Sequence, residues 1–542
     1  MDVNLHLLDR VIGGVYVPRM ITALTVMLLS AQAGATSCEK LASLALPNTT
    51  ITSAQLVPAG PFTPPAQGGP PGGPVAAPAP NAAAGRGGAG GRGQGPGGGA
   101  PPVVLPAHCR VQAVLAPSPD SHIEIEVWLP AENWNGKFQA VGNGGWAGII
   151  SYPALATALQ EGYATASTDT GHKGGNALFA IGHPEKLLDF AYRAVHEMTV
   201  QSKSIISSYY GRAPRLSYWN GCSTGGRQGL MSAQKYPDDF DAILAGAPAN
   251  YQTHLHAWDL SVAVPALTDP ASAIPAAKLT LINNAAVKAC DAKDGVKDGL
   301  INDPRACSFD VATLACKSGD AADCLTPAQV AQAKRAYTAA KTASGETVFP
   351  GKDPGSETGW TAFVGNNPQA PGVSVGSFQV AYGDANWDAR TFNLDRDLKV
   401  VDEKVGTPVN AINPDLRAFK ARGGKLLLYH GWNDTAISAG NTINYYASVL
   451  AKMGKNQDDW IRLFMAPGMQ HCGNGPGPNQ VNWMAFLERW RESGSAPDRV
   501  DAAHVTNNRI DMTRPLCPYP QVAQYKGVGS TNDAANFVCK QP

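Results

Sequence analysis

Two short peptides, far apart in the chain, each place a cysteine beside a residue that can take part in catalysis. Cys222 directly precedes Ser223, and Cys472 directly follows His471. If the two cysteines form a disulfide, their Cα atoms lie about 5–6 Å apart, and the bond holds Ser223 and His471 side by side. A serine next to a histidine is the arrangement of an activated nucleophile and its general base. The two peptides together therefore predict covalent catalysis by a serine.

The peptide around the serine has the pattern Gly-x-Ser-x-Gly, residues 221–225, which is the nucleophile elbow of α/β-hydrolases. The pattern is weak alone because glycine and serine are common. Asp434 and His471 each follow a predicted strand, and the order Ser223, Asp434, His471 is that of an α/β-hydrolase triad. We expect His471 to accept the proton of Ser223 and Asp434 to orient the imidazole. The alternatives are a turn aspartate and an ordinary loop histidine.

An oxyanion hole needs two backbone N–H groups directed at the developing negative charge. The residue after the nucleophile normally supplies one of them, here Thr224, and a glycine-rich loop after an early strand supplies the other. Gly144 and Gly145 have that place in the sequence, and either of them could be the donor. An ordinary glycine turn is the alternative.

Two other classes of protein have to be weighed against a hydrolase. The pattern Gly-x-Gly-x-x-Ala at residues 142–147, with Asp169 at the end of the next predicted strand, imitates a dinucleotide-binding fingerprint. A dinucleotide-dependent oxidoreductase is improbable for an exported, disulfide-rich chain, and it gives the serine constellation no purpose. An exported binding protein with a dead site is the other alternative, and the complete set of three residues speaks against it.

Strands and helices alternate around these residues, which favours a mostly parallel sheet covered by helices on both faces. Strands are predicted at residues 123–129, 138–141, 163–167, 215–220, 242–244, 425–429 and 460–465, and helices at 153–160, 184–209 and 225–235. The alternation stops at about residue 251. We therefore predict an α/β-hydrolase fold whose core, residues 103–250 and 401–542, is interrupted by a large inserted lid domain, residues 251–400.

The N-terminal segment and the cysteines indicate an exported protein. Arg10 and Arg19 precede an apolar run at residues 20–29, which predicts a signal peptide over residues 1–36, with Met20 as an alternative start. The run is too short for a membrane anchor. The ten cysteines, without a Cys-x-x-Cys pattern, favour disulfides formed in an oxidising compartment. We expect a secreted or periplasmic monomer without stable membrane association.

The charge balance and one biased tract exclude other roles. The formal net charge is zero, so nothing favours binding to nucleic acid. Residues 57–102 are rich in Pro, Gly and Ala and cannot bury a core, which predicts a disordered insertion. An inserted spacer is the simplest interpretation of this tract.

A second group of residues in the lid could bind a metal ion. Asp291, Asp294 and Asp298 lie at spacings i, i+3 and i+7 among glycines, so they can surround one hard cation such as Ca²⁺ with oxygen ligands. The carbonyls of Val296 and Leu300 could complete the set. The loop lacks the glutamate at position 12 of an EF-hand, and a solvated turn is the alternative. We expect a structural calcium ion that takes no part in the chemistry.

These residues together resemble the tannase and feruloyl esterase family, which carries a Cys-Ser-x-Gly-Gly elbow and a His-Cys pair. The Asp-rich calcium loop matches as well, and the resemblance covers about residues 103–542. The other matching motifs are at residues 222–229, 470–473, 431–434, 169–172 and 387–392. The Pro/Gly/Ala tract departs from the family pattern but lies outside the site.

The resemblance implies an α/β-hydrolase core with an aromatic-binding lid that hydrolyses esters of aromatic acids. These are gallate esters, hydroxycinnamate esters and, in one branch, mono(2-hydroxyethyl) terephthalate. The lid offers four aromatic candidates for stacking on a planar acid, each of which could instead be a packing residue. They are Trp258, Trp360, Phe378 and Trp387.

Five disulfides are expected from these considerations. The Cys222–Cys472 pair follows from the catalytic hypothesis, and three pairs rest on proximity in the sequence and on the family pattern. The last pair, Cys38–Cys109, joins the remaining cysteines and also matches the family. The three close pairs are Cys290–Cys307, Cys316–Cys324 and Cys517–Cys539.

Overall fold

The fold is described from a computed structural model that covers residues 36–65, 103–365 and 372–542. The predicted signal peptide, apart from its last residue, lies outside these residues. The same holds for residues 66–102 of the Pro/Gly/Ala tract.

A nine-stranded sheet forms the centre of the molecule. Its strands are β1 (Thr49–Val57), β2 (His108–Leu115), β3 (Ile123–Pro130), β4 (Lys137–Val141), β5 (Ala164–Thr168), β6 (Leu216–Cys222), β7 (Ala242–Gly246), β8 (Lys425–Gly431) and β9 (Ile461–Ala466). In space the order is β1-β2-β3-β5-β4-β6-β7-β8-β9. The pairs from β1 to β5 run antiparallel, and the pairs from β5 to β9 run parallel.

The three predicted helices are present, and the long one at 184–209 is continuous through a π turn. The helices are α1 (Tyr152–Gln160), α2 (Pro184–Leu188), α3 (Ala194–Tyr210), α4 (Thr224–Lys235), α5 (Gln252–Thr268), α6 (Ala276–Cys290), α7 (Pro327–Tyr337), α8 (Thr361–Val364), α9 (Gly372–Tyr382), α10 (Leu394–Val401), α11 (Thr407–Val409), α12 (Arg417–Ala421), α13 (Ala439–Met453) and α14 (Trp483–Ser493). Small hairpins pair Gly60–Phe62 with Val103–Leu105, Ala340–Lys341 with Thr347–Phe349, Val500–Thr506 with Arg509–Leu516, and Val522–Tyr525 with Phe537–Lys540.

The parallel half of the sheet is buried on both faces. In β8, Leu426 and Leu428 belong to one hydrophobic cluster, whereas Leu427 and Tyr429 belong to another on the opposite face. Side chains of a strand alternate between the two faces, so a continuous apolar run is what a strand covered by helices on both sides requires. This arrangement is the α/β-hydrolase fold predicted from the sequence.

The start of the core differs from the prediction, which placed it at residue 103. Strand β1 lies well before that residue and pairs with β2 along its length. Residues 60–62, assigned to the disordered insertion, pair with residues 103–105. In the described part of the tract, residue 57 and residues 60–62 are thus held by pairing with neighbouring strands.

The segment between β7 and β8 forms a mainly helical lid with its own hydrophobic cluster. Helix α5 is buried around most of its circumference, as expected for a helix enclosed by other helices. The cluster contains Trp258 but also Trp146 and Phe190 from the first core segment and Val405 from the second. The predicted lid, residues 251–400, thus packs as one unit with flanking parts of the core.

All ten cysteines are paired as predicted, with Cα–Cα distances from 4.9 to 5.9 Å. Such a set of disulfides is typical of proteins that fold in an oxidising compartment. Within the three described ranges of the chain, no helix is both long and apolar enough to cross a bilayer.

Candidate active site

Ser223 lies at a sharp turn between β6 and α4. Its backbone has φ 63° and ψ −123°, a region that costs a non-glycine residue conformational energy. The turn is possible because Gly221 and Gly225 touch: a Cβ on Gly221 would lie 2.5 Å from the carbonyl carbon of Gly225. The N–H of Ser223 donates to the carbonyl of Gly246 in β7 at 3.0 Å. The result is a nucleophile elbow with a partly exposed serine at the carboxyl edge of the sheet.

Asp434 follows β8 and is 1% exposed. Its Oδ1 accepts hydrogen bonds from the N–H groups of Ala436 at 2.8 Å and Ile437 at 2.9 Å. Its Oδ2 lies 2.8 Å from Nδ1 of His471. Burial opposes ionisation of the carboxyl, but the charge of His471 and hydrogen bonds from His430 and His471 outweigh it and hold the pKa of Asp434 below its usual range. Asp434 is therefore a fixed, ionised partner of His471.

The loop that carries His471 is joined covalently to the elbow. The Cys222–Cys472 disulfide holds the two Cα atoms 5.9 Å apart. Cys472 itself has φ 62°, and the N–H of Gln470 donates to the carbonyl of Asn474 at 3.1 Å. The loop is thus a tight turn, with Nδ1 of His471 directed at Asp434. The structure brings the predicted histidine and aspartate into contact, and the disulfide ties the histidine loop to the neighbour of Ser223.

A second histidine, not considered in the sequence analysis, also contacts Asp434. His430 is 0% exposed, and its Nε2 lies 3.0 Å from Oδ2 of Asp434 and 3.2 Å from the carbonyl oxygen of Ile437. Its Nδ1 lies 2.7 Å from Oγ1 of Thr442. The available signal was a histidine four residues before the acid, at the end of the same strand.

The glycine-rich loop after β4 lies against the start of α4. The hydroxyl of Thr224 donates to the carbonyl of Gly145 at 2.9 Å, and the N–H of Gly225 donates to the carbonyl of Asn143 at 2.8 Å. The side chain of Gln228 donates from Nε2 to Oδ1 of Asn143 and accepts at Oε1 from the backbone N–H of Asn143, each at 3.1 Å. The loop is therefore held beside Thr224, and Gly144 and Gly145 remain partly exposed there.

The four aromatic candidates for substrate binding belong to the lid, and most of them are buried there. Trp258, Trp360 and Phe378 are fully buried in the lid cluster. Trp387 is half-buried and stacks on Phe378 with ring centroids 5.1 Å apart. An aromatic residue packed in a lid core has the same sequence signature as one that faces a ligand, so the role of the four residues in substrate binding stays a prediction.

The Asp-rich loop supplies the oxygen ligands that calcium prefers. Its carboxylates, however, are not gathered around one point. One oxygen of each aspartate accepts backbone N–H groups of the loop, and Oδ2 of Asp298 accepts a hydrogen bond from Arg514 at 2.6 Å. Burial, with the charges of Asp298 and Asp291, raises the pKa of Asp294. This excess of negative charge fits a cation. Among the described residues, however, no three carboxylate, histidine or cysteine groups converge closely enough to hold a metal ion.

The fold and the elbow are those of an α/β-hydrolase. The chain belongs to the tannase and feruloyl esterase family, whose model matches residues 109–540. Members of this family are carboxylic ester hydrolases, and the protein is an enzyme of that class.

Individual relatives agree with this assignment. The chain is 36% identical to an uncharacterised esterase of Xanthomonas campestris pv. campestris, over 96% of this chain and 94% of the relative. It is 34% identical to a probable feruloyl esterase B-1 of Aspergillus oryzae, over 80% of this chain and 84% of the relative. The crystal structure of feruloyl esterase B from Aspergillus oryzae superposes with a TM-score of 0.82 at 30% identity, over 93% of this chain and 99% of the other. The tannin acyl hydrolase of Aspergillus niger shares the fold, with a TM-score of 0.73 at 22% identity, over 93% and 94% of the two chains.

Proposed function

We propose that Ser223, His471 and Asp434 form the catalytic triad of an esterase that acts on esters of aromatic acids. The observation that carries this proposal is the pair of links around His471. One is the disulfide from its neighbour Cys472 to the neighbour of Ser223, and the other is the 2.8 Å hydrogen bond to Asp434. Because Nδ1 is used by Asp434, Nε2 is left to take the serine proton.

The reaction then has two steps. Oγ of Ser223 attacks the ester carbonyl while its proton passes to His471, and the alcohol leaves with that proton, which gives an acyl-enzyme. Water repeats the sequence, with His471 again as the base, and releases the acid and the free serine. The N–H of Thr224 and an N–H from Gly144 or Gly145 would stabilise the oxyanion.

The substrate class rests on the names of the relatives, feruloyl esterases foremost. Feruloyl or other hydroxycinnamoyl esters are the first choice, with galloyl esters and mono(2-hydroxyethyl) terephthalate as members of the same class. Each is a small planar acyl group joined to an alcohol. The fold alone does not choose among them.

Two further assignments belong to this proposal. A structural Ca²⁺ ion would be held by the carboxylates of Asp291, Asp294 and Asp298 and by the carbonyls of Val296 and Leu300. The enzyme would work outside the cytoplasm, in the medium or the periplasm, which the five disulfides support.

The test is a substrate panel run with the wild type and Ser223→Ala. Methyl ferulate, methyl gallate and mono(2-hydroxyethyl) terephthalate are compared by kcat/KM, and a fluorophosphonate probe reports the reactive serine. We expect labelling and hydrolysis to vanish in Ser223→Ala, with a loss of several orders of magnitude, while circular dichroism stays unchanged. More than a tenth of the wild-type rate in a folded Ser223→Ala enzyme would overturn the triad. A wild type that hydrolysed only aliphatic esters would overturn the substrate class.

A further inference from the structure

His430 is a buried imidazole whose role the esterase mechanism leaves open. It lies at the end of β8, four residues before Asp434, and none of its surface reaches solvent. All of its polar contacts are internal. Since a buried polar group must be paired to avoid a desolvation cost, the identity of its partners shows what the ring does.

The partners of the ring decide which of its two nitrogens carries the hydrogen. Nε2 faces two acceptors, Oδ2 of Asp434 at 3.0 Å and the carbonyl oxygen of Ile437 at 3.2 Å, so this nitrogen carries the hydrogen. Nδ1 faces only the hydroxyl of Thr442 at 2.7 Å, which can donate to it. The network therefore places the hydrogen on Nε2, between the carbonyl oxygen of Ile437 and Oδ2 of Asp434.

The two carboxylate oxygens of Asp434 have different hydrogen-bond partners. Oδ1 is occupied by the N–H groups of Ala436 and Ile437. Oδ2 receives both His471 and His430, at 2.8 and 3.0 Å. Because Oδ1 already fixes the orientation of the carboxylate, the second histidine mainly withdraws negative charge from the oxygen that faces His471.

We propose that His430 is a positioning residue that acts through Asp434: its Nε2–H divides the charge of Oδ2 and so limits how strongly the aspartate holds a proton on His471. This inference rests on the proposed triad. A general base works best when it gives up its proton near the operating pH. Without the donor from His430, Asp434 would stabilise the protonated form of His471 more strongly. His471 would then act as a base only at higher pH.

Two other titratable groups interact with the charge of Asp434 besides the two histidines. They are Tyr429 on β8 and Lys352 from the lid. None of the variants below changes them.

The decisive measurement is the acidic limb of the kcat/KM–pH profile on the best aromatic ester. His430→Phe removes the donor, so we expect the midpoint of this limb to rise by about 0.5 to 1 pH unit. Below the midpoint, kcat/KM of His430→Phe should be about three- to tenfold lower than that of the wild type. Above the midpoint the two values should be the same. His430→Gln keeps an N–H near Nε2 and should leave the midpoint at the wild-type value. A loss of equal size at every pH, or an equal shift in both variants, would overturn the proposal.

Two more variants keep the test decisive. If His430→Phe does not fold, His430→Leu replaces it, because leucine also removes the donor and is smaller than phenylalanine. A raised midpoint in His430→Leu with none in His430→Gln supports the role, and an unmoved midpoint in His430→Leu overturns it. The matched control is His254, a buried lid histidine between Asp402 and the carbonyl of Val348, each at 2.9 Å. His254→Phe should lower the melting temperature without moving the midpoint.

Failure of this inference differs from failure of the triad. An active Ser223→Ala enzyme would remove the triad itself. An inactive Ser223→Ala enzyme together with a wild-type profile in His430→Phe would leave the triad intact and refute only the role of His430.

Discussion

The serine and the histidine of this site are held in place by different means. Ser223 lies between a central strand and a helix, and close glycine contacts force its backbone into one conformation. Residues 467–482, all within the described chain, form no helix and no strand of the sheet. The histidine there depends on a disulfide and on a side-chain hydrogen bond. The proposed nucleophile is thus positioned by the backbone, and its proposed base is positioned by covalent and polar contacts.

This difference predicts different weak points. The elbow should fail when a side chain is added, because no atom there can give way. The histidine loop should lose its alignment when the disulfide is removed, because the remaining restraints are hydrogen bonds and catalysis tolerates a misplacement of only about 1 Å.

The largest effect is expected from Gly221→Ala. The added methyl group would lie 2.5 Å from the backbone of Gly225, and relief would require α4 to move. We expect a loss of about 3 kcal/mol or more of stability and no measurable hydrolysis. Thermal unfolding, soluble yield and kcat are the measurements. Gly175→Ala is the control, because a Cβ there meets no atom within 4 Å. A stable and active Gly221→Ala enzyme would show that the elbow is less rigid than its contacts indicate.

The next effect is expected from the double change Cys222→Ala with Cys472→Ala. The protein should remain folded, because the sheet does not need this bond, but kcat should fall about a hundredfold as the loop of His471 drifts. Circular dichroism and kcat on an aromatic ester are measured together. The matched control is the double change Cys316→Ala with Cys324→Ala, which removes a lid disulfide and should preserve kcat. Near-normal kcat in the folded Cys222/Cys472 variant would mean that packing alone positions the histidine.

The smallest effect is expected from calcium removal. Leu300, at the end of the Asp-rich loop, lies against the histidine loop, since a Cβ on Gly468 would come within 2.8 Å of its Cδ2. A chelator should lower the melting temperature by a few degrees, because an ion bound only to the folded state stabilises it by mass action. Asp294→Ala should reproduce the shift, and the exposed Asp323→Ala should not. Unchanged melting on chelation, with no metal found by elemental analysis, would make the loop an ordinary turn.

Most of the fold was predictable because its strands are apolar and end in recognisable residues. Strands β3 to β9 were all indicated by such runs. Strand β1 was not, because its residues are mostly polar and only Ala54 is buried, as befits the outer strand of a sheet. Its pairing with β2 depends on contacts across an insertion that no local pattern records.

The site also contains residues that the sequence could indicate and residues that only the folded structure shows. Ser223, Asp434 and His471 could be proposed from spacing because cysteine neighbours and strand ends mark them. The role of His430 could not, because its three partners come together only in the folded chain. Spacing could not show either that three of the lid aromatics are fully buried, because burial is a property of the tertiary structure.

The disulfide between Cys222 and Cys472 joins residues 250 positions apart, and with the chain between them it closes a ring that contains the entire lid and Asp434. A single peptide bond cut inside this ring opens it without releasing a fragment. The cleaved enzyme would migrate as two pieces on a reducing gel and as one on a non-reducing gel. Proteolytic nicking of the lid would therefore leave the three residues of the site in one covalent molecule.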